Sequence, residues 1–211
     1  MYPKFYSNAQ GQLAETIIAA MKNKGYRFFD HGMFNLNLIG IRNSVMNTNT
    51  FNDLFVMIYL DPYGEMLVEC FPMTTDPGFY YLENPINVDG TAILPPGQYP
   101  NMWRLGVHRD QATLVQSGAL KVWRDNNRDE LIDVGEFGDR MKESAATGIN
   151  LHDSGTYIAE TLKVDRWSAG CQVLKYRGHR IHIRMLAEFS AGLYGDGFTY
   201  TLLEEKDLLE V

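Results

Sequence analysis

Apolar and polar positions change period several times along this chain, and each change marks an element. Over residues 9–24 the side chains Leu13, Ile17, Ala20 and Met21 recur at helical steps, one face of an amphipathic helix. Gly25, after Lys22 and Lys24, supplies a good residue just past its end, where cations are also favoured. The period then drops to two. FNLNLIGIR (34–42) alternates and predicts a strand, followed by the asparagine-rich loop NSVMNTNTFND. Residues 54–61 and 65–72 flank Pro62-Tyr63-Gly64 and predict a hairpin, with Cys70 as a small core residue in its second strand.

The proline- and glycine-rich stretch 73–100 predicts a long ordered loop or short edge strands. WRLGVH, ATLVQ and ALKVWR, within 103–124, predict three short strands, and His108 closes the first as a strand-end residue. Residues 148–152 alternate again through Ile149 and Leu151 and close on His152. After Cys171, Ile181, Ile183 and Met185 alternate, yet Ile181, Met185, Phe189 and Leu193 hold helical spacing over a longer window. Length favours the helix. His179 and His182, three apart on it, make no metal site without further ligands. FTYTLLEE predicts a closing strand. The whole predicts an α+β chain: a mainly antiparallel, strongly twisted sheet or small β-barrel, with an N-terminal helix and one helix after Cys171. Its 211 residues fit a single domain, with 1–30 as a helical appendage and 31–211 as the β-rich body.

Composition narrows the function. At 45% hydrophobic and 21% charged residues the chain is globular rather than disordered. A net charge of −7 argues against duplex nucleic acid as partner and against an anionic membrane surface. No run reaches the roughly 18 apolar residues of a membrane span. The first residues lack a basic region followed by an apolar core, so no signal peptide is expected. Two cysteines in different contexts, Cys70 and Cys171, do not make a disulfide framework.

The stretch 148–174 carries the candidate chemistry. Cys171 ends the small-residue run Ser168-Ala169-Gly170-Cys171, and His152 stands upstream on the predicted strand. A neutral imidazole can take a thiol proton, and a thiolate attacks carbonyls. Gly170 allows close backbone approach, and the N–H groups of Gly170 and Cys171 could form an oxyanion hole. The same residues also describe a buried structural cysteine beside an unrelated histidine.

His152 followed by Ser168-x-Gly170-Cys171 resembles the signature of the L,D-transpeptidase catalytic domain. GTAILPPGQYP, residues 90–100, is similar to a second segment of that family, with Pro96, Gly97 and Tyr99 in matching places. The resemblance covers roughly residues 85–175 and implies a nucleophile at Cys171, a base at His152, an oxyanion glycine at Gly170 and a peptidoglycan stem peptide as substrate. Asp153 would orient His152 through its side chain or carbonyl. Trp167, Ser168, Ala169 and Val173 would border the substrate, Trp167 as a wall of the pocket. Ala169 stands where the family has histidine, and Val173 where it has arginine or asparagine. These departures resemble the form carried by tailed phages, which implies a lysis or virion-associated enzyme found in the host cytoplasm before lysis or in the particle, with other virion proteins as further partners.

Residues 125–136 form a second constellation. Oxygen side chains at Asp125, Asn127, Asp129, Asp133 and Glu136, with a carbonyl from Leu131, match a twelve-residue calcium loop. Five acids and one arginine give this window −4 of the chain's −7, a density that self-repels without a cation. Glu130 stands where glycine usually supplies a positive-φ turn. The connection 137–147 has weak helical character. The reading is therefore a cysteine peptidase or transpeptidase with structural Ca²⁺. The alternative is an inactive, calcium-stabilised structural or wall-binding module of a phage particle, and a plain solvated acidic turn remains open at the loop.

Overall fold

A computed structural model describes residues 9–45, 49–130, 132, 142–144, 148–154 and 163–210. The chain is α+β, with a large and mostly antiparallel sheet. α1 (Ala9–Asn23) is the predicted N-terminal helix. Beyond it the Gly25 N–H reaches the Lys22 carbonyl and the Tyr26 N–H the Met21 carbonyl, with Gly25 at φ +70°. Those two bonds satisfy carbonyls that a helix end leaves open.

Eight strands close a barrel in the order β1 (Asn37–Arg42), β11 (Phe198–Glu204), β5 (Gly97–His108), β6 (Gln111–Gln116), β9 (Leu151–Asp153), β10 (Gln172–Leu174), β3 (Met66–Thr74) and β2 (Asp53–Leu60). Two neighbour pairs are parallel, β1 with β11 and β9 with β10, and the others are antiparallel. β4 (Thr91–Ile93), β7 (Leu120–Asp125) and β8 (Lys142–Ser144) form a separate three-stranded sheet.

The barrel has two apolar faces to cover, and the residues divide accordingly. Phe55, Met57, Trp103, Leu151, Leu174, Tyr200 and Leu202 fill one cluster, with Ile183, Leu186 and Ala187 of α3 (Arg177–Tyr194) packed into it. Ile17 and Met21 of α1 meet Ile39, Val56, Ile58 and Leu203 in a second. β1 is buried along its whole length because each face of it serves one cluster. Burying a Leu or Ile side chain stabilises by about 1.5–3 kcal/mol, so these clusters fix the strand order.

Several expectations change. β9 spans Leu151–Asp153, while residues 148–150 are loop held by side chains. Gln116 Oε1 accepts from the Ile149 N–H at 2.6 Å, and the Trp103 indole donates to the Ile149 carbonyl at 2.8 Å. Part of the connection expected to lean helical is strand: β8 pairs with β7, Leu120 opposite Ser144. In the proline-rich stretch a short helix forms, α2 (Phe79–Glu83), which anchors on Leu82. The helix after Cys171 is present, but its apolar stripe lies outward: Ile181, Met185, Phe189 and Leu193 are about half exposed, at 51, 46, 54 and 48%. Ile183, Leu186 and Ala187 face the core instead.

No helix among the described residues is long and apolar enough to cross a membrane.

Candidate active site

Cys171 sits at the end of a pinned turn. The Val164 N–H reaches the Asn49 carbonyl at 3.2 Å, the Trp167 N–H the Val164 carbonyl at 2.8 Å, and the Gly78 N–H the Ser168 carbonyl at 2.9 Å. Within the turn, Ser168 Oγ donates to the Cys171 carbonyl at 2.9 Å and accepts from the Gly170 N–H at 3.2 Å. Gly170 adopts φ +118°, and a Cβ there would lie 2.5 Å from the Ala92 carbonyl oxygen. Glycine is required on both counts. The expected oxyanion role of Gly170 therefore meets a prior engagement, since its N–H already serves Ser168, and the Cys171 N–H is the other expected donor.

His152 comes from the next strand. In the parallel pairing of β9 and β10 it stands opposite Val173, two residues beyond Cys171. The ring is buried, and Nδ1 bonds the Asp153 carbonyl oxygen at 2.8 Å. That contact makes Nδ1 the protonated nitrogen and leaves Nε2 as the base. Of the two ways Asp153 could orient His152, the structure uses the carbonyl. The Asp153 carboxylate turns away and accepts from Arg180 Nε of α3 at 2.6 Å, with both side chains buried.

Electrostatics keeps this pair neutral. Burial lowers the His152 pKa to about 4, with the nearby His108 and Arg109 pushing the same way against the Asp153 carbonyl. Burial also pushes the Cys171 thiol up, outweighing the Asn150 main chain and the Arg109 charge, which act the other way. Desolvation thus acts against the lowered pKa that characterises an activated thiol. The half-buried Cys171 places its Sγ 3.2 Å from the Gly148 carbonyl, as a thiol donor. Among the described residues Cys171 and His152 share no hydrogen bond.

The four expected substrate neighbours divide. Ser168 and Val173 are fully buried and present no surface, because one braces the turn and the other packs in the barrel. Trp167 and Ala169 are half-buried and line accessible ground. Tyr99, from the Pro-x-Gly-like segment, bonds the Pro95 carbonyl at 2.5 Å and braces that turn.

Three neighbours escaped the sequence reading. The His108 ring lies 5.1 Å from the His152 ring, and its Nδ1 meets Asn150 Nδ2 at 3.1 Å. Arg109 follows in the β5–β6 turn, where both Arg109 and Asp110 take positive φ, 47° and 62°. Side chains there accept about 1 kcal/mol or more of strain each. His108 at a strand end was the only visible signal. Arg180 is the third, reaching the site from α3.

Of the calcium-loop residues, Asp125, Asn127 and Asp129 are described; Leu131, Asp133 and Glu136 lie outside the described residues. Asn127 Nδ2 donates to Asp129 Oδ2 at 2.9 Å, and the Asp129 N–H lies 3.3 Å from Asn127 Oδ1. The left-handed residue is Arg128 (φ 63°) and not Glu130, so the strain expected at Glu130 is absent. Among the described residues no three His, Cys, Asp or Glu side chains gather as a metal site requires.

Comparisons of the chain with protein-family models, with curated proteins and with solved structures give no match.

Proposed function

We propose that this chain is a cysteine acyltransferase or peptidase of the L,D-transpeptidase kind, acting on peptidoglycan stem peptides. The observation that carries the reading is the neutral His152 on the strand beside Cys171, its Nδ1 committed to Asp153 and its Nε2 left as a base. Nε2 takes the Sγ proton as the sulfur attacks the peptide carbonyl carbon. The electron pair moves to the carbonyl oxygen, held by the Cys171 N–H. The tetrahedral species collapses, the C–N bond breaks, and His152 returns the proton to the leaving amine. Water or a second amine, deprotonated by His152, then attacks the thioester and releases the thiol, giving hydrolysis or cross-linking. A phage lysis or virion-associated role belongs to the same proposal and rests on the departures at Ala169 and Val173.

The proposal includes Ca²⁺ in the 125–136 loop as a structural cofactor, held by carboxylate and carbonyl oxygens. A second reading keeps the fold without the chemistry, as a calcium-stabilised structural or wall-binding module. Its support is the raised thiol pKa and the Sγ contact with Gly148. Incubation with purified muropeptides, read by mass spectrometry, separates the two. The enzyme reading expects new cleaved or cross-linked species that Cys171→Ser abolishes. Unchanged muropeptides with folded protein would favour the second.

A further inference from the structure

The turn that presents Cys171 borders a pocket built around a buried guanidinium. Arg124, near the end of β7, is only 8% exposed. One guanidinium nitrogen donates to the Gly90 carbonyl at 3.1 Å. Among the described residues no carboxylate comes within ion-pair distance of it, and Asp89 acts on it only from further away. Burial lowers its pKa accordingly. A buried cation without an anion is costly unless something supplies one.

Register places this charge beside the Cys171 turn. Arg124 pairs with Ala92 between β7 and β4, and the Ala92 carbonyl is the group that presses on Gly170. There a cavity of about 130 Å³ opens, with Arg124, Asn87, Gly90, Thr91 and Ala169 among its lining. Gly90 and Ala169 leave the room. Asn87 Oδ1 is engaged by the Asp89 N–H at 2.9 Å, which leaves its NH₂ group as a donor. The Thr91 hydroxyl is turned inward to the Tyr81 carbonyl. A planar cationic fork with one amide donor suits a carboxylate, whose two oxygens accept in one plane.

We propose that this pocket is a carboxylate-binding subsite that seats the free carboxylate end of the peptide substrate while Cys171 meets a neighbouring carbonyl. The assignment rests on the thiol acyl-transfer reading for its ligand.

The test measures binding without turnover, in full-length Cys171→Ser protein. Its amide resonances are titrated with N-acetyl-D-alanine, with the carboxamide of that compound, and with acetate. The acid should shift Gly90 and Ala169 saturably and bind at least about ten-fold more tightly than the carboxamide, as charge-assisted pairing implies. Arg124→Gln should bring acid and carboxamide within about two-fold, while Arg124→Lys keeps part of the preference. Equal binding of acid and carboxamide in the unaltered pocket would overturn the proposal, and needs no pocket variant to be read. Acetate binding as tightly as the acid would overturn the peptide assignment, and so would a preference that survives Arg124→Gln in folded protein. Cys171 reactivity is judged separately in the unaltered chain. An inert Cys171 with the acid preference intact removes the enzyme and leaves the subsite; a reactive Cys171 without the preference removes the subsite alone.

Discussion

His152, the proposed base, is buried, and that burial must show in stability. Its pKa falls from an ordinary 6.5 to about 4 in the folded protein. Between those values the unfolded chain binds a proton that the native one refuses, so stability is present above about pH 6.5 and lost as pH falls toward 4. The shift corresponds to about 3 kcal/mol. Asp76 acts oppositely: burial raises its carboxyl from 3.8 to about 6, so its contribution declines as pH rises through that window. A comparison with His152→Gln cancels Asp76, which both proteins carry. Wild type should lose about 3 kcal/mol relative to the variant between pH 7 and pH 4 in urea titrations. A difference flat with pH would mean that His152 is charged or solvated. The same neutrality makes His152 a base only during attack, so His152→Gln should lower muropeptide turnover by about a hundredfold or more, in steady-state rates at neutral pH.

At the scale of elements, α3 and β9 are joined by Arg180 and Asp153, and this pair holds the strand that carries the base. Breaking a buried pair from one side costs about 3–5 kcal/mol, because the remaining charge is stranded. Arg180→Leu should lose that much in denaturant melts, and Arg180→Leu with Asp153→Leu should recover a large part. Recovery of stability without recovery of Cys171 labelling would mark the pair as a positioning device for His152; unchanged stability in the single variant would contradict the link. This junction also shows where sequence reading stops. Helix α1, the β2–β3 hairpin and the strands from β5 to β7 were legible because their period and turn residues are local. The helix after Cys171 was legible from length, but the spacing of Ile181, Met185, Phe189 and Leu193 did not show that this stripe faces outward. Arg180 turns inward to Asp153, a contact that the helical spacing does not show. Cys171 and His152 were legible as residue types in order, whereas the thiol's upward shift depends on burial that no spacing encodes. His108 and Arg109 reach the site through a hairpin turn, and Arg124 through strand register. Those are long-range facts.

For the whole molecule, closure of the barrel leaves the β4–β7–β8 sheet as the bridge between the two sequence-derived sites. The end of β7 starts the proposed calcium loop, and β4 touches Gly170 beside Cys171. If Ca²⁺ occupies residues 125–136, it fixes the end of that sheet and stabilises the fold by about 2.7 kcal/mol at a hundred times its dissociation constant. Millimolar calcium should then raise the melting temperature, Asp125→Ala should abolish the rise, and chelation should slow Cys171 labelling reversibly. Calorimetry with no heat and no stabilisation would leave an acidic turn. The central claim, that Cys171 forms a thioester with a peptide, is tested most directly by intact-protein mass spectrometry after rapid acid quench of a muropeptide reaction. The account predicts one stem-peptide acyl adduct, mapped to Cys171 rather than Cys70 and missing in Cys171→Ser. Folded wild-type protein that carries no adduct at any quench time, with its muropeptides intact, would contradict it.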